Sequence, residues 1–267
     1  MSAIDSLFAS LRSSGKKALM PFLTAGDPDV AFTAELIKLM VARGASLCEV
    51  GIPYSDPIAD GPVIQASYTR ALAKKIKLAK IFATLVSVAP QVKAPLVTMV
   101  SYAIVHRHGL ERYVADAKAA GVAGLIVPDL LVEEAAALAA VCEREQLSLI
   151  QLITPTTPRE RAKRIAGTST GFIYYVSVTG ITGERRELPP ELIDNVAWLR
   201  TQTKLPICIG FGVSTPEHVK TLAPVADGLI VGSAIMRRVA ETDTRPRSEV
   251  LSSVGDYVAT LAAALTA

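Results

Sequence analysis

Residues 206–235 read Pro206-Ile207-Cys208-Ile209-Gly210-Phe211-Gly212-Val213-Ser214-Thr215-Pro216-Glu217-His218-Val219-Lys220-Thr221-Leu222-Ala223-Pro224-Val225-Ala226-Asp227-Gly228-Leu229-Ile230-Val231-Gly232-Ser233-Ala234-Ile235. Two short apolar runs, 206–210 and 228–231, flank a helical pattern over 216–222. The runs are continuously apolar rather than alternating, which is how strands buried on both faces of a parallel sheet read. Thr215-Pro216 supplies a capping hydroxyl before a proline suited to a first helical turn. Each run passes into a glycine-rich turn. The segment therefore reads as strand, loop, helix, strand, loop.

The same unit recurs outward in both directions. Further apolar runs occupy 18–22, 47–51, 95–99, 124–127, 148–152 and 171–176, so there are eight. Helical patterns fall at 30–43, 64–89, 110–120, 133–145, 158–166, 190–203, 216–222 and 248–265. Thr157-Pro158 is expected to cap a helix as Thr215-Pro216 does. Gly44 and Gly121 follow helices, where a left-handed residue is needed. Eight strands alternating with eight helices predict an α/β protein with a (β/α)8 TIM-barrel fold, a single domain over 1–267. A doubly wound open sheet is the rival, but it usually has fewer strands and often a Gly-rich first turn. Residues 2–11 carry Ile4, Leu7, Phe8 and Leu11 at amphipathic spacing and read as an extra N-terminal helix closing the bottom of the barrel.

Composition narrows the functional class. The 267 residues suit one barrel of about 250 residues. Lys and Arg number 28 against 25 Asp and Glu; an excess of +3 does not support a nucleic-acid surface or a polybasic anchor. No run approaches the roughly 18 apolar residues of a membrane span, and Asp5 stands where a signal peptide would be basic. Cys48, Cys142 and Cys208 lie far apart with no CxxC, which disfavours a disulfide framework or zinc site and suggests a reducing, cytoplasmic setting. Among His106, His108 and His218 only the first two are close, so no metal site is expected.

In such barrels the chemistry sits at the C-terminal ends of the strands. Glu49 is the only charge in 47–51. It either points outward to pair with a helix base or points into the barrel, where a charge is costly unless used. The loop 51–62 carries three prolines and two aspartates. It is either a turn-rich surface loop or a rigid strap that brings Asp60 over the barrel mouth beside Glu49. Two carboxylates in different environments would suit separate proton-handling roles. The turns at Gly210-Phe211-Gly212 and Gly232-Ser233 follow the last two strands, where barrels often hold a phosphate on helix N–H groups. No GxGxxG and no GxxxxGK[ST] is completed, so a nucleotide is disfavoured. Residues 178–187 are small and flexible at first and charged at the end, either a solvated loop or a lid.

Three blocks carry a family resemblance: Pro21-Phe22-Leu23-Thr24-Ala25-Gly26-Asp27-Pro28, the run from Glu49 through Asp60-Gly61-Pro62, and Gly180-Ile181-Thr182-Gly183. With them the chain resembles the tryptophan synthase α subunit family over essentially its whole length. It departs at Ala103-Ile104, where many relatives have Asn-Pro, and at Val178, where some have Arg. The resemblance implies a carbon–carbon lyase of tryptophan biosynthesis that cleaves indole-3-glycerol phosphate to indole and glyceraldehyde 3-phosphate. Glu49 and Asp60 would be catalytic. Phe22, Tyr102, Tyr175 and Phe211 would wall the indole, with Phe22 and Tyr175 favoured. Gly183, Gly212, Gly232 and Ser233 would hold the phosphate, and Thr182 would fold in with the lid. No cofactor is expected in this chain; pyridoxal phosphate would sit on a partner β subunit in an α2β2 complex, with Asp56 and Pro57 at the contact and indole passed directly across. A different phosphate-binding barrel, an isomerase or ring-closing synthase, shares the phosphate loops but not the Glu49-to-Asp60 block. A non-catalytic barrel that regulates a partner would have no need of both carboxylates.

Overall fold

The computed structural model describes residues 2–57, 60–177, 191–210 and 212–265. Its strands are β1 (Ala18–Thr24), β2 (Cys48–Gly51), β3 (Leu96–Met99), β4 (Val122–Ile126), β5 (Ser148–Ile150), β6 (Leu152–Ile153), β7 (Ile173–Val176), β8 (Ile207–Gly210) and β9 (Gly228–Val231). They form one sheet in the order β5-β4-β3-β2-β1-β9-β8-β7-β6. Every pairing is parallel. The two ends of that order, β5 and β6, are successive pieces of one chain run separated only by Gln151. The ring thus closes through a single irregular strand, and the expected run over 148–152 accounts for both pieces. Gln151 stays inside the ladder: its carbonyl accepts the Tyr174 N–H at 3.1 Å, and its Nε2 donates to Thr168 Oγ1 at 2.7 Å. The result is the (β/α)8 barrel.

The barrel interior is a packed core. β1 is buried along its full length. Near the base, a Cβ built on Gly228 would lie 3.0 Å from both Ala18 Cβ and Cys208 Sγ and 3.1 Å from Met20 Sδ. Ala18, Met20 and Cys208 therefore meet around Gly228 inside the barrel. Phe22 and Gly210 follow two residues later on β1 and β8, on the same faces but nearer the C-terminal mouth.

Ala3–Ser13 is the extra helix, started by a capping box in which Ser2 Oγ accepts from the Asp5 N–H and Asp5 Oδ2 from the Ser2 N–H. Its buried face is Ile4 and Phe8. Ile4 reaches Gly124 on β4 and Gly171 just before β7, and the Phe8 ring lies 5.9 Å from that of Phe172. The helix plugs the barrel base as its spacing predicts. Truncating fully buried Ile4 to Ala is expected to cost about 2–5 kcal/mol.

Most helices fall within a few residues of their predicted ranges. Gly44 and Gly121 have φ of +107° and +79°, and Thr215 Oγ1 accepts the His218 N–H at 3.3 Å. Three expectations fail. The helix over 64–89 is two helices, Pro62–Ala73 and Leu78–Val88, broken at Lys75 with φ +54°. An unbroken helix of that length would run about 39 Å, far beyond the barrel wall, whereas the turn lets Ile76 seat against Gly26. Thr157 is not a cap: Pro158 stands there, ahead of Arg159–Thr168, and Thr157 Oγ1 accepts instead from Thr154 N–H at 3.0 Å. Helices at Tyr102–His108 and Ser233–Val239 have no counterpart among the predicted ranges; Ser101 and Asp129 start the first, and Gly232 caps the second.

Candidate active site

Three parts of the chain bring functional side chains to the mouth: the ends of β1, β2 and β7, the start of Pro62–Ala73, and the turns after β8 and β9. Glu49 sits opposite Phe22 on β1 and Val97 on β3. It is fully buried, and both carboxylate oxygens lack a hydrogen-bond partner among the described residues. The outward, ion-paired alternative is thereby excluded. Burial pushes the Glu49 carboxyl up to about 8, and the nearby Asp60 charge adds to the rise. At neutral pH Glu49 is an acid holding its proton.

Asp60 lies in the strap between β2 and the helix Pro62–Ala73. Its N–H donates to the Pro57 carbonyl at 3.1 Å, and Gln65 Nε2 donates to the Asp60 carbonyl at 2.7 Å. Gly61 is the helix N-cap and Pro62 follows in the first turn, where its missing N–H costs nothing. The half-buried Asp60 carboxyl is raised by burial to about 6. It is therefore mostly ionised at pH 7 while Glu49 is mostly protonated. The environments have pushed two carboxyls of similar intrinsic acidity apart, which suits one acid and one anion.

A bidentate ion pair steadies this arrangement. Arg70, on the same helix, donates from Nε and a terminal nitrogen to the two oxygens of Asp27 at 3.0 and 2.6 Å. Asp27 is buried in the loop after β1, and Lys74 Nζ donates to the Pro28 carbonyl at 2.6 Å. Two loops that must share the mouth are thus held together through one helix.

Phe22 lies between the carboxylate region and the candidate phosphate turns. A Cβ on Gly51 would come within 2.5 Å of Phe22 Cζ and 2.9 Å of the Tyr68 hydroxyl oxygen. A Cβ on Gly232 would be 3.4 Å from Phe22 Cβ. Gly51 is therefore required by close approach: any side chain there collides with the Phe22 ring. Gly212, with φ +84°, follows β8, and Gly232 caps the short helix Ser233–Val239 after β9. Since β8 and β9 are paired, the two turns are neighbours. The Ile235 and Met236 N–H groups donate to the Gly232 carbonyl at 2.9 and 3.0 Å, which leaves the Ser233 and Ala234 N–H groups as the ones that precede the first intrahelical bond. Thr182, Gly183 and Phe211 lie outside the described residues.

The structure does not bring Tyr175 to the mouth. Its hydroxyl bonds Asn195 on the outer helix Glu191–Gln202, and Glu191 is also near it. The inward ring is Tyr174: its hydroxyl lies over Gly210, and the Glu49 and Asp60 charges, after burial, hold its pKa well above 10. The expectation is off by one residue, and in a strand one residue exchanges the two faces. Tyr102 starts its helix at the rim with its N–H donating to Asp129 Oδ1 at 2.7 Å, but its ring lies 6.0 Å from that of His106. Ser101, which donates to Asp129 Oδ2 at 2.6 Å, forms the wall there.

A cleft of about 380 Å³, open to solvent, lies above these groups. Asp56, Pro57, Asp60 and Tyr68 border it on one side, Ser101 and Asp129 on the other. Gln65, Tyr68, Asp129 and Tyr174 were not expected from sequence. The one available signal was helical spacing, since Gln65 and Tyr68 are three apart on the helix that Asp60 precedes.

Comparisons with known proteins all point to one family. Residues 8–265 match the family model for the tryptophan synthase alpha chain. The tryptophan synthase alpha chain of Rhodopirellula baltica is 59% identical over 251 residues, covering 93% of this chain and 90% of that protein. That of Geotalea daltonii is 44% identical over 254 residues, covering 95% and 96%. The crystal structure of tryptophan synthase subunit alpha from Legionella pneumophila superposes with a TM-score of 0.90 at 33% identity, covering 100% of this chain and 99% of that one.

Proposed function

This chain belongs to the tryptophan synthase alpha chain family, the lyase component of the tryptophan synthase complex, whose partner is a β subunit, and on that premise we propose that Glu49 and Asp60 cleave indole-3-glycerol phosphate here. The observation that carries the assignment is Glu49: a fully buried carboxyl on β2 without a hydrogen-bond partner among the described residues, raised to about 8 beside an Asp raised only to about 6.

Indole is a poor carbanion, so C3 must be protonated before the bond to the glycerol chain breaks. Protonated Glu49 delivers that proton. The ring nitrogen then carries positive charge, and ionised Asp60 accepts the N–H hydrogen bond and stabilises it. The Glu49 carboxylate so formed takes the proton from the adjacent side-chain hydroxyl as the carbon–carbon bond breaks. Indole and glyceraldehyde 3-phosphate leave, and Glu49 ends protonated as it began. One residue thus serves as acid and then base.

Phe22 forms a wall of the indole pocket, an assignment supported by its place between Gly51 and Gly232. Tyr174 is assigned a wall role in preference to Tyr175, and Tyr102 acts at the rim. Gly212, Gly232 and Ser233 hold the phosphate with Gly183, while Thr182 and Phe211 complete the site from outside the described residues. Asp56 and Pro57, on the cleft border, contact the β subunit, which holds the pyridoxal phosphate. The assembly is α2β2, cytoplasmic, with residues 1–267 acting as one barrel domain. The test is to supply indole-3-glycerol phosphate with and without β subunit and measure indole. Glu49→Gln should lower turnover by about 10²-fold or more; unchanged turnover with a normal melting curve would remove Glu49 from the mechanism.

A further inference from the structure

Tyr68 has no part in the chemistry so far described, yet its hydroxyl reaches Gly51 on the strand that carries Glu49, and it lines the same cleft as Asp60. Glu49 and Gly51 face the barrel interior two residues apart on β2, about 7 Å along the strand. The Tyr68 hydroxyl lies at the level of Gly51, 2.9 Å from where a Cβ would stand, one step nearer the mouth than Glu49. Above it, Tyr68 and Asp60 border the same cleft. The placement follows from the helix: side chains lean toward the N-terminus, so Tyr68, on the helix that Asp60 precedes, points back toward the mouth. The ring is 3% exposed and packs with Phe22 around Gly51.

We propose that Tyr68 is a positioning residue whose phenolic O–H donates to the Asp60 carboxylate when substrate is bound, holding Asp60 ionised and aimed at the indole nitrogen. The inference rests on the lyase reading above. Burial, reinforced by both carboxyl charges, keeps the phenol pKa well above 10, so Tyr68 is a donor throughout the working range. A hydrogen bond to the charged form of a carboxyl favours that form. Asp60 is raised by burial, and a neutral donor lowers it without the counter-charge that would spoil its attraction for a cationic indole. Glu49 gains no such donor among the described residues, where its oxygens have no partner, and stays an acid. Tyr68 thus helps to keep the two carboxyls apart in acidity.

The experiment measures kcat/KM against pH for indole release by the complex with β subunit, comparing wild type, Tyr68→Phe, Asp60→Asn and the double variant. Indole release by wild type tests the lyase reading itself and is scored first. Tyr68→Phe keeps the ring that fills the space beside Phe22. Loss of one hydrogen bond to Asp60 should move the acid limb up by about half to one pH unit and lower kcat/KM near pH 6 by about two- to fivefold, and by about three- to tenfold well below that limb. In the Asp60→Asn background the same change should cost little further, because the shared interaction is already gone. An unmoved acid limb in Tyr68→Phe, or an equal loss in both backgrounds, would overturn the proposal while leaving the lyase reading intact. If Tyr68→Phe does not fold, fluorotyrosine at position 68 replaces it. A more acidic phenol is a stronger donor, so the acid limb should move down; no movement would again overturn the proposal.

Discussion

Replacing Glu49 with Gln should stabilise the folded chain at alkaline pH even as it destroys turnover. In the fold the Glu49 carboxyl is raised from 4.5 to about 8, chiefly by burial. The folded state therefore holds a proton that the unfolded chain releases. That contribution is fully present below pH 4.5 and is lost progressively as pH rises toward 8. At about 1.36 kcal/mol per pH unit, the wild type should lose on the order of 4 kcal/mol between pH 5 and 8 from this group alone. Gln keeps the shape and the buried polar atoms but has no proton to lose. Both forms leave polar atoms unpartnered at low pH, so they should start close together. The assay is urea unfolding of wild type and Glu49→Gln from pH 5 to 9, taking the difference so that other titrating groups cancel. The variant's advantage should grow to several kcal/mol, or roughly 10 °C in melting temperature for a chain of this size. A flat difference across that range would refute the reasoning, because Glu49 would then be no harder to ionise folded than unfolded. Such a gain on removal of a reactive group is the expected trade between stability and activity.

The rate should follow a bell, with an acid limb near 6 as Asp60 ionises and an alkaline limb near 8 as Glu49 loses its proton. Asp60→Asn should remove the acid limb and, by deleting a like charge, move the alkaline limb down in whatever activity remains; an alkaline limb that stays put or rises would contradict the coupling. Gly232→Asp would set a carboxylate over Phe22 in the phosphate turn, where repulsion at about 4 Å is worth about 4 kcal/mol at a near-surface dielectric. Calorimetry should show glycerol-phosphate analogues weakened by 100-fold or more on this scale and uncharged indole much less affected, whereas equal losses would place the phosphate elsewhere. Asp56→Ala, on the exposed strap, should weaken β-subunit association by about tenfold and reduce its stimulation of indole release. In wild type a bound analogue should tighten that association by the same factor by which the partner tightens the analogue; no change in Kd with analogue would end the coupling argument.

Local chemistry determined the order of elements. Continuous apolar runs, helical periodicity between them, Gly44 and Gly121 after helices, and Ile4 with Phe8 on one face of the first helix each depend on a few adjacent residues, so they are legible in sequence. The block from Glu49 to Asp60 was legible for the same reason, as was the barrel rule that puts it at the mouth. What the sequence left open depended on which way a strand faces. A run buried on both sides carries no alternation to set its phase, so Glu49 in or out stayed open and Tyr175 was favoured where Tyr174 faces inward, until neighbouring strands were paired. The break at Lys75 was hidden because 64–89 keeps helical periodicity across it; the limited height of the barrel wall and the seat for Ile76 beside Gly26 end the first helix. Most of all, the acidities belong to the tertiary structure. Glu49 and Asp60 have nearly the same intrinsic acidity, and it is the greater desolvation of one, together with the charge of the other, that makes Glu49 a proton donor and Asp60 an anion near neutral pH.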